Sequence, residues 1–71
     1  MNIVRPVQIT SPISGQPSIP KIETKVRGNH TIQEAHWFDP ASGVFIRKGI
    51  VKITDNETGK DVTNEVVSHM M

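Results

Sequence analysis

The side chains best suited to chemistry fall in one short stretch. Glu34, His36, Asp39 and Ser42 follow one another closely. In an extended strand, residues i and i+2 share a face. Glu34 and His36 would then point the same way, with Arg47 of the following strand opposite His36. An imidazole beside a carboxylate can serve a metal or an acid–base step. The other histidines, His30 and His69, stand too far off in register to complete a ligand set. The group therefore reads as a polar face with cross-strand charge pairing. His36, Asp39 and Ser42 are also the residue types of a hydrolytic triad. Turn preference already explains Ser42, however, and a domain this small has little room for a pocket of roughly several hundred Å3. No catalytic activity, metal or cofactor is expected.

Other patterns are weaker. Trp37, Phe38 and Phe45, with Arg47, Lys48 and Lys52, have the makings of a base-stacking platform. They are also the only three aromatics, and a core that surrendered them would scarcely exist. Asn29-His-Thr31 and Asn56-Glu-Thr58 match the glycosylation pattern, but both asparagines sit where a turn wants Asn. The glycines form neither a P-loop nor a dinucleotide fingerprint.

These residues are organised by two turns. Trp37-Phe-Asp-Pro-Ala-Ser-Gly-Val-Phe45 reads as a hairpin closing at Asp39–Gly43. Asp39 accepts backbone N–H bonds, Pro40 presets φ near −65° and Gly43 supplies φ > 0. Asp55-Asn-Glu-Thr-Gly59 repeats the pattern. Two like turns flanking residues 44–54 specify an antiparallel meander, with Phe38 opposite Phe45, Trp37 opposite Ile46 and Ile53 opposite Val62. Gly49 inside the long strand suggests a bulge or a close backbone approach; a bulge would switch the facing set from Ile46 to Val51 and Ile53. Residues 21–27 alternate in strand period and end at a Gly28-Asn29 turn. Residues 30–38 read as strand, with a short capped helix as the alternative. Residues 60–71 begin as a strand, and their tail can turn helical on a Val62, Val66, Val67, Met70 stripe capped by Thr63. Trp37, Phe45, Ile46, Val51 and Ile53 are the expected core.

A chain of 71 residues is marginal alone. At this size one core rarely supplies more than about 3–5 kcal/mol without staples, and there is no cysteine to form a disulfide. Association with other chains is the remaining remedy. Eight basic against seven acidic residues give a charge of +1, which argues against a binder driven by phosphate neutralisation. No apolar run approaches a membrane span, and no secretion signal is read at the N-terminus. Residues 1–20 stand apart from residues 21–71. They hold Pro6, Pro12, Pro17 and Pro20, one charge at Arg5, and six large β-branched side chains: Ile3, Val4, Val7, Ile9, Ile13 and Ile19. Proline excludes helix and uninterrupted central strand. At about 3.3–3.6 Å per residue the segment would span roughly 66–72 Å if extended. It reads as an arm with no local element to pair with, whose apolar pegs fit pockets on neighbouring subunits; the plainer alternative is a disordered leader.

The expected architecture is therefore all-β: a small three- to four-stranded antiparallel meander (residues 21–71) with a long extended Pro-rich arm (residues 1–20). It resembles small accessory proteins of tailed-bacteriophage virions, of the capsid decoration and neck or tail adaptor type. That resemblance implies a noncatalytic structural protein, present in many copies on a symmetric assembly of protein subunits, in a virion assembled in the host cytoplasm. Two other readings stand beside it: a small inhibitor docking on one enzyme by strand addition, and a nucleic-acid-binding module.

Overall fold

The computed structural model describes residues 3–70. Met1, Asn2 and Met71 lie outside the described residues, as do the side chains of His69 and Met70, so Met70's place on the helical stripe is outside them too. The elements follow in order as β1 (Ile9–Thr10), β2 (Pro17–Ser18), β3 (Lys21–Arg27), β4 (His30–Phe38), β5 (Phe45–Asp55) and α1 (Thr63–Met70). β1 and β2 make a two-stranded antiparallel ribbon, and β3-β4-β5 make the antiparallel meander. The small all-β meander read from the sequence is the fold.

β4 is the central strand. The capping-box pattern at Thr31–Glu34 does not produce a helix because β4 pairs along its length with β3 on one side and β5 on the other. Gly28-Asn29 joins β3 to β4 with φ 56° at Gly28 and no positive φ at Asn29, the two-residue II′ pattern that suits strand twist.

β5 carries two bulges. Gln33 pairs with Lys52 and Glu34 with Ile50, leaving Val51 extra; Trp37 pairs with Arg47 and Phe38 with Phe45, leaving Ile46 extra. The bulge expected at Gly49 is absent: Gly49 pairs with Ala35. Each bulge returns the strand to register after one additional residue. Phe38 opposes Phe45 as expected. Trp37 opposes Arg47, not Ile46, because Ile46 is one of the extra residues. After the second turn, Thr54 bridges Asp61 and the Val62 N–H bonds the Ile53 carbonyl at 2.8 Å. That is the expected Ile53–Val62 alignment, but it lasts a single bridge before α1 begins. The Asp61 carboxylate starts the helix by accepting the N–H and hydroxyl of Thr63, and the Thr63 hydroxyl in turn accepts the Ile53 N–H at 2.8 Å. These bonds hold the Asp61 carboxyl below its ordinary pKa, the Thr63 hydroxyl contributing most.

Directly opposed residues in an antiparallel sheet point to the same side. One face therefore carries Ile32, Ile50 and Ile53, which pack with Val62, Val66 and Val67 around α1. The other carries Ala35 and Trp37, both fully buried. The core set is thus Ala35, Trp37, Ile50, Ile53 and Val67. Of the five residues expected, Trp37 and Ile53 are buried. Ile46 and Val51 are half-buried, consistent with their bulged positions. Phe45 is half exposed, at the start of β5 with Phe38 edge-on at 5.9 Å between ring centres.

The leading segment departs from expectation most. From residue 3 onward it folds back on the sheet, within a body of 42 × 21 × 16 Å. Ile3 bridges Ile50 in parallel sense and the Val4 N–H bonds the Ile50 carbonyl at 2.8 Å. The Val7 carbonyl accepts the Trp37 indole N–H at 3.0 Å, and the Ser18 hydroxyl donates to the Phe38 carbonyl at 2.7 Å. Proline forbids a long strand, but it leaves turns, single bridges and hydroxyls free to find partners. The segment uses those.

Candidate interaction surface

Asp39 is where the leading segment and the meander meet. Its carboxylate is buried and receives hydroxyls from Ser11 at 2.6 Å, from Ser14, and from Ser42 at 2.7 Å, with the Ser42 N–H at 2.9 Å. The hydroxyl of Ser11, then those of Ser14 and Ser42, hold its carboxyl far below the usual carboxylate range, against the upward push of desolvation.

The Asp39 turn shares its geometry with two others. In Asp39–Gly43 the Gly43 N–H bonds the Asp39 carbonyl at 2.7 Å, and the Asp39 N–H bonds the Val44 carbonyl at 2.8 Å. In Asp55–Gly59 the corresponding bonds run from Gly59 to Asp55 at 2.7 Å and from Asp55 to Lys60 at 2.9 Å. Pro40 takes the second place of the first turn, and Gly43 and Gly59 close the two turns at φ 75° and 73°. A third copy exists: Gly15 (φ 75°) bonds the Ser11 carbonyl at 2.9 Å, and Ser11 bonds the Gln16 carbonyl at 2.8 Å. Ser11-Pro-Ile-Ser-Gly15 lines up with Asp39-Pro-Ala-Ser-Gly43 position for position. That repeat is the signal by which the sequence could have shown Ser11 and Ser14 in a turn.

The triad types do not assemble. Ser42 serves Asp39, whereas the His36 Nε2 lies 3.3 Å from Glu34 and 3.4 Å from Glu23. Lys48, not Arg47, opposes His36, because the bulge at Ile46 displaces the pairing; the Arg47 guanidinium stacks over Trp37 at 4.8 Å. Glu23, Glu34 and His36 bring three ligand atoms within 4.8 Å of one another. Two carboxylates and an imidazole are a donor set for a divalent transition cation. Here Lys25 holds the Glu34 Oε1 at 3.2 Å, the same oxygen that lies 3.3 Å from the His36 Nε2. Burial pushes the Glu34 carboxyl up, but Lys25 and His36 together bring it below its ordinary value. Lys25 and His36 thus favour the ionised Glu34 carboxylate.

The aromatics divide between the two faces. Phe38 and Phe45 lie on the α1 side of the sheet, with the His36 ring stacked at 6.5 Å and Lys21 at 5.6 Å from Phe38. Trp37 points to the opposite side and is buried. A platform of all three is therefore not formed. Asn29 and Asn56 both sit in turns that pack together, with the Asn56 N–H on the Asn29 carbonyl at 2.6 Å and the Thr31 hydroxyl on the Asn56 side chain at 2.6 Å.

The apolar pegs of the leading segment remain accessible although its backbone is docked. Ile3, Val7, Ile13 and Ile19 are exposed, Ile19 by 75%. Val4 and Ile9 are half-buried. Beside Ile19 lies a groove of about 340 Å3 between β2 and the Asp39 turn, lined by Pro17, Phe38 and Pro40 among others. Compared with known proteins, the chain matches no family model, no curated protein and no solved structure.

Proposed function

We propose that this chain is a noncatalytic structural subunit that binds neighbouring protein subunits of a large, multi-copy assembly, of the virion accessory kind its architecture resembles. One observation carries the reading. Among the described residues eight large hydrophobic side chains are exposed, against five hydrophobic residues in the core. Half of the eight, Ile3, Val7, Ile13 and Ile19, lie in the leading segment, where an apolar patch would be a contact site for other molecules. The leading segment is anchored by the Val4 N–H, the Val7 carbonyl and the hydroxyls of Ser11, Ser14 and Ser18. Because polar groups do the anchoring, Ile3, Val7, Ile13 and Ile19 are left for a partner. A segment already shaped by its own body loses less freedom on binding than a free arm would.

The test is attachment to the assembly. In particles isolated from the source, the chain should be present in many copies per particle. Ile13→Asp and Ile19→Asp, at exposed positions, should keep the parental circular dichroism and lose attachment. Burying one Ile contributes about 1.5–3 kcal/mol; each of these is already partly covered, so a loss of roughly tenfold in affinity per site is expected. Parental attachment of the double variant would overturn the role given to the leading segment.

A further inference from the structure

The two long edges of the meander are treated differently. The edge at β5 is covered by Ile3–Val4, whose N–H bonds the Ile50 carbonyl, and by Asp61–Val62, which bonds the Ile53 carbonyl. The edge at β3 has no strand beside it among the described residues, and all seven of its residues are exposed. β3 contains no proline and no bulge against β4. Such an edge presents a row of unpaired backbone groups, which natural sheets usually cover or interrupt.

From this edge we infer that β3 pairs with β3 of a second copy of the same chain, antiparallel and about a two-fold axis at Thr24. The side chains select both partner and register. With Thr24 opposite the second copy's Thr24, Glu23 faces the second copy's Lys25 and Lys25 faces its Glu23. Ile22 faces the second copy's Val26, and Val26 its Ile22. The interface is isologous, so each favourable pair occurs twice. Opposite charges and apolar β-branched pairs placed directly across an antiparallel ladder are stabilising, and like charges are destabilising. Centring the axis on Glu23 or on Lys25 would set like charges face to face. The Lys21–Arg27 pairs, one at each end, are the two unfavourable matches, and they lie where long side chains reach solvent. Ile22, Thr24 and Val26 lie on the face of Ala35 and Trp37, so pairing sets Ile22 and Val26, now 49% and 68% exposed, into two apolar pairs, one on each side of the Thr24 pair. The two meanders then form a continuous six-stranded sheet. This contact uses neither the leading segment nor any other protein, so it stands or falls separately from the assembly role proposed above.

The experiment uses the purified full chain. Sedimentation or light scattering should give a mass rising with concentration to twice 7.9 kDa. Glu23→Lys and Lys25→Glu should each be monomeric alone, because each puts two like-charged pairs across the axis. Mixing the two variants should restore the dimer, since both crossings are then opposite in charge. Glu23→Lys also removes the contact with His36 and Lys25→Glu the Glu34 ion pair, so a second probe leaves both intact. The chain has no cysteine, and Thr24→Cys places the new thiols directly opposite at Cα separations of about 4.5–5.5 Å, within disulfide reach. Thr24→Cys should oxidise readily to a covalent dimer. Ile22→Cys and Val26→Cys, whose like positions are about 13 Å apart at 3.3 Å per residue, should not. A parental chain that stays monomeric, mixed variants that stay monomeric while folded, or Thr24→Cys oxidising no faster than its neighbours would overturn the inference.

Discussion

Trp37→Phe is the substitution that best tests whether the leading segment belongs to the fold. Trp37 is fully buried, and its indole N–H bonds the Val7 carbonyl at 3.0 Å. Phe keeps an aromatic ring under Arg47 but removes that donor and part of the ring system. Losing one such hydrogen bond costs about 0.5–1.5 kcal/mol net. The shortened ring adds a loss well below the roughly 3–5 kcal/mol of truncation to Ala, about 0.5–1.5 kcal/mol by analogy with other small deletions in a core. The expected total is about 1–3 kcal/mol, a large part of the roughly 3–5 kcal/mol available to a domain this size. Trp37→Ala would consume all of it and report only unfolding, which is why Phe is the better probe. In urea, with a slope of about 1 kcal/mol per M for a small domain, the midpoint should fall by roughly 1–3 M. Circular dichroism should follow it, because the replaced residue is the sole tryptophan. Amide exchange near Val7 should speed up more than exchange in β4. An unchanged midpoint together with unchanged exchange near Val7 would refute the idea that Trp37 fastens the segment to the sheet.

Three further outcomes follow from the same contacts. Gly15→Val, Gly43→Val and Gly59→Val should each lower stability by about 1–2 kcal/mol in urea unfolding; a Cβ at these positions meets nothing within 4 Å, so the cost is that of φ near +75° alone. Ile53→Ala should cost about 2–5 kcal/mol, whereas Phe45→Ala, at a half-exposed position, should cost clearly less in the same assay. The Asp39 carboxyl has a folded pKa depressed below its unfolded value of about 3.9, so its contribution is fully present above that pH and is lost as pH falls through the folded value; Ser11→Ala should move that loss to higher pH, read by carbon NMR titration of the carboxyl.

Local rules carried the meander because its information is local. Gly28-Asn29 and the two Asp-to-Gly turns locate the strand ends, and Phe38 opposite Phe45 follows directly from the first turn. The bulges were not legible in the same way. Gly49 signals a bulge by its lack of a side chain, yet the extra residues are Ile46 and Val51. These are ordinary β-formers that become extra because Ile50 and Ile53 must both reach the α1 side and Arg47 must reach Trp37. Glu34 and His36 were read correctly as sharing a polar face. Glu23 was missed because the β3–β4 register, not any spacing along the chain, puts it opposite Glu34. The leading segment misled for a related reason. Proline content correctly excluded helix and long strand, but it does not exclude docking. The serines that dock it lie between the prolines, in a turn whose likeness to Asp39–Gly43 is visible only when both are aligned.

That likeness also explains how an apolar segment is held without using its apolar groups. A Pro-x-Ser-Gly turn presents hydroxyls on a fixed frame, since proline and glycine set φ at its second and fifth residues. Two such frames meet at Asp39, which offers four lone-pair sites to Ser11, Ser14 and Ser42. Charge-assisted hydroxyl bonds of this kind are roughly twice as strong as neutral ones. A few of them can fix a segment that would otherwise need a hydrophobic face against the sheet. Had Ile13 and Ile19 been turned inward for that purpose, the leading segment would offer no isoleucine at that end for a neighbour. With the carboxylate as anchor, this end of the segment is ordered by polar bonds, and Ile13 and Ile19 stay outside.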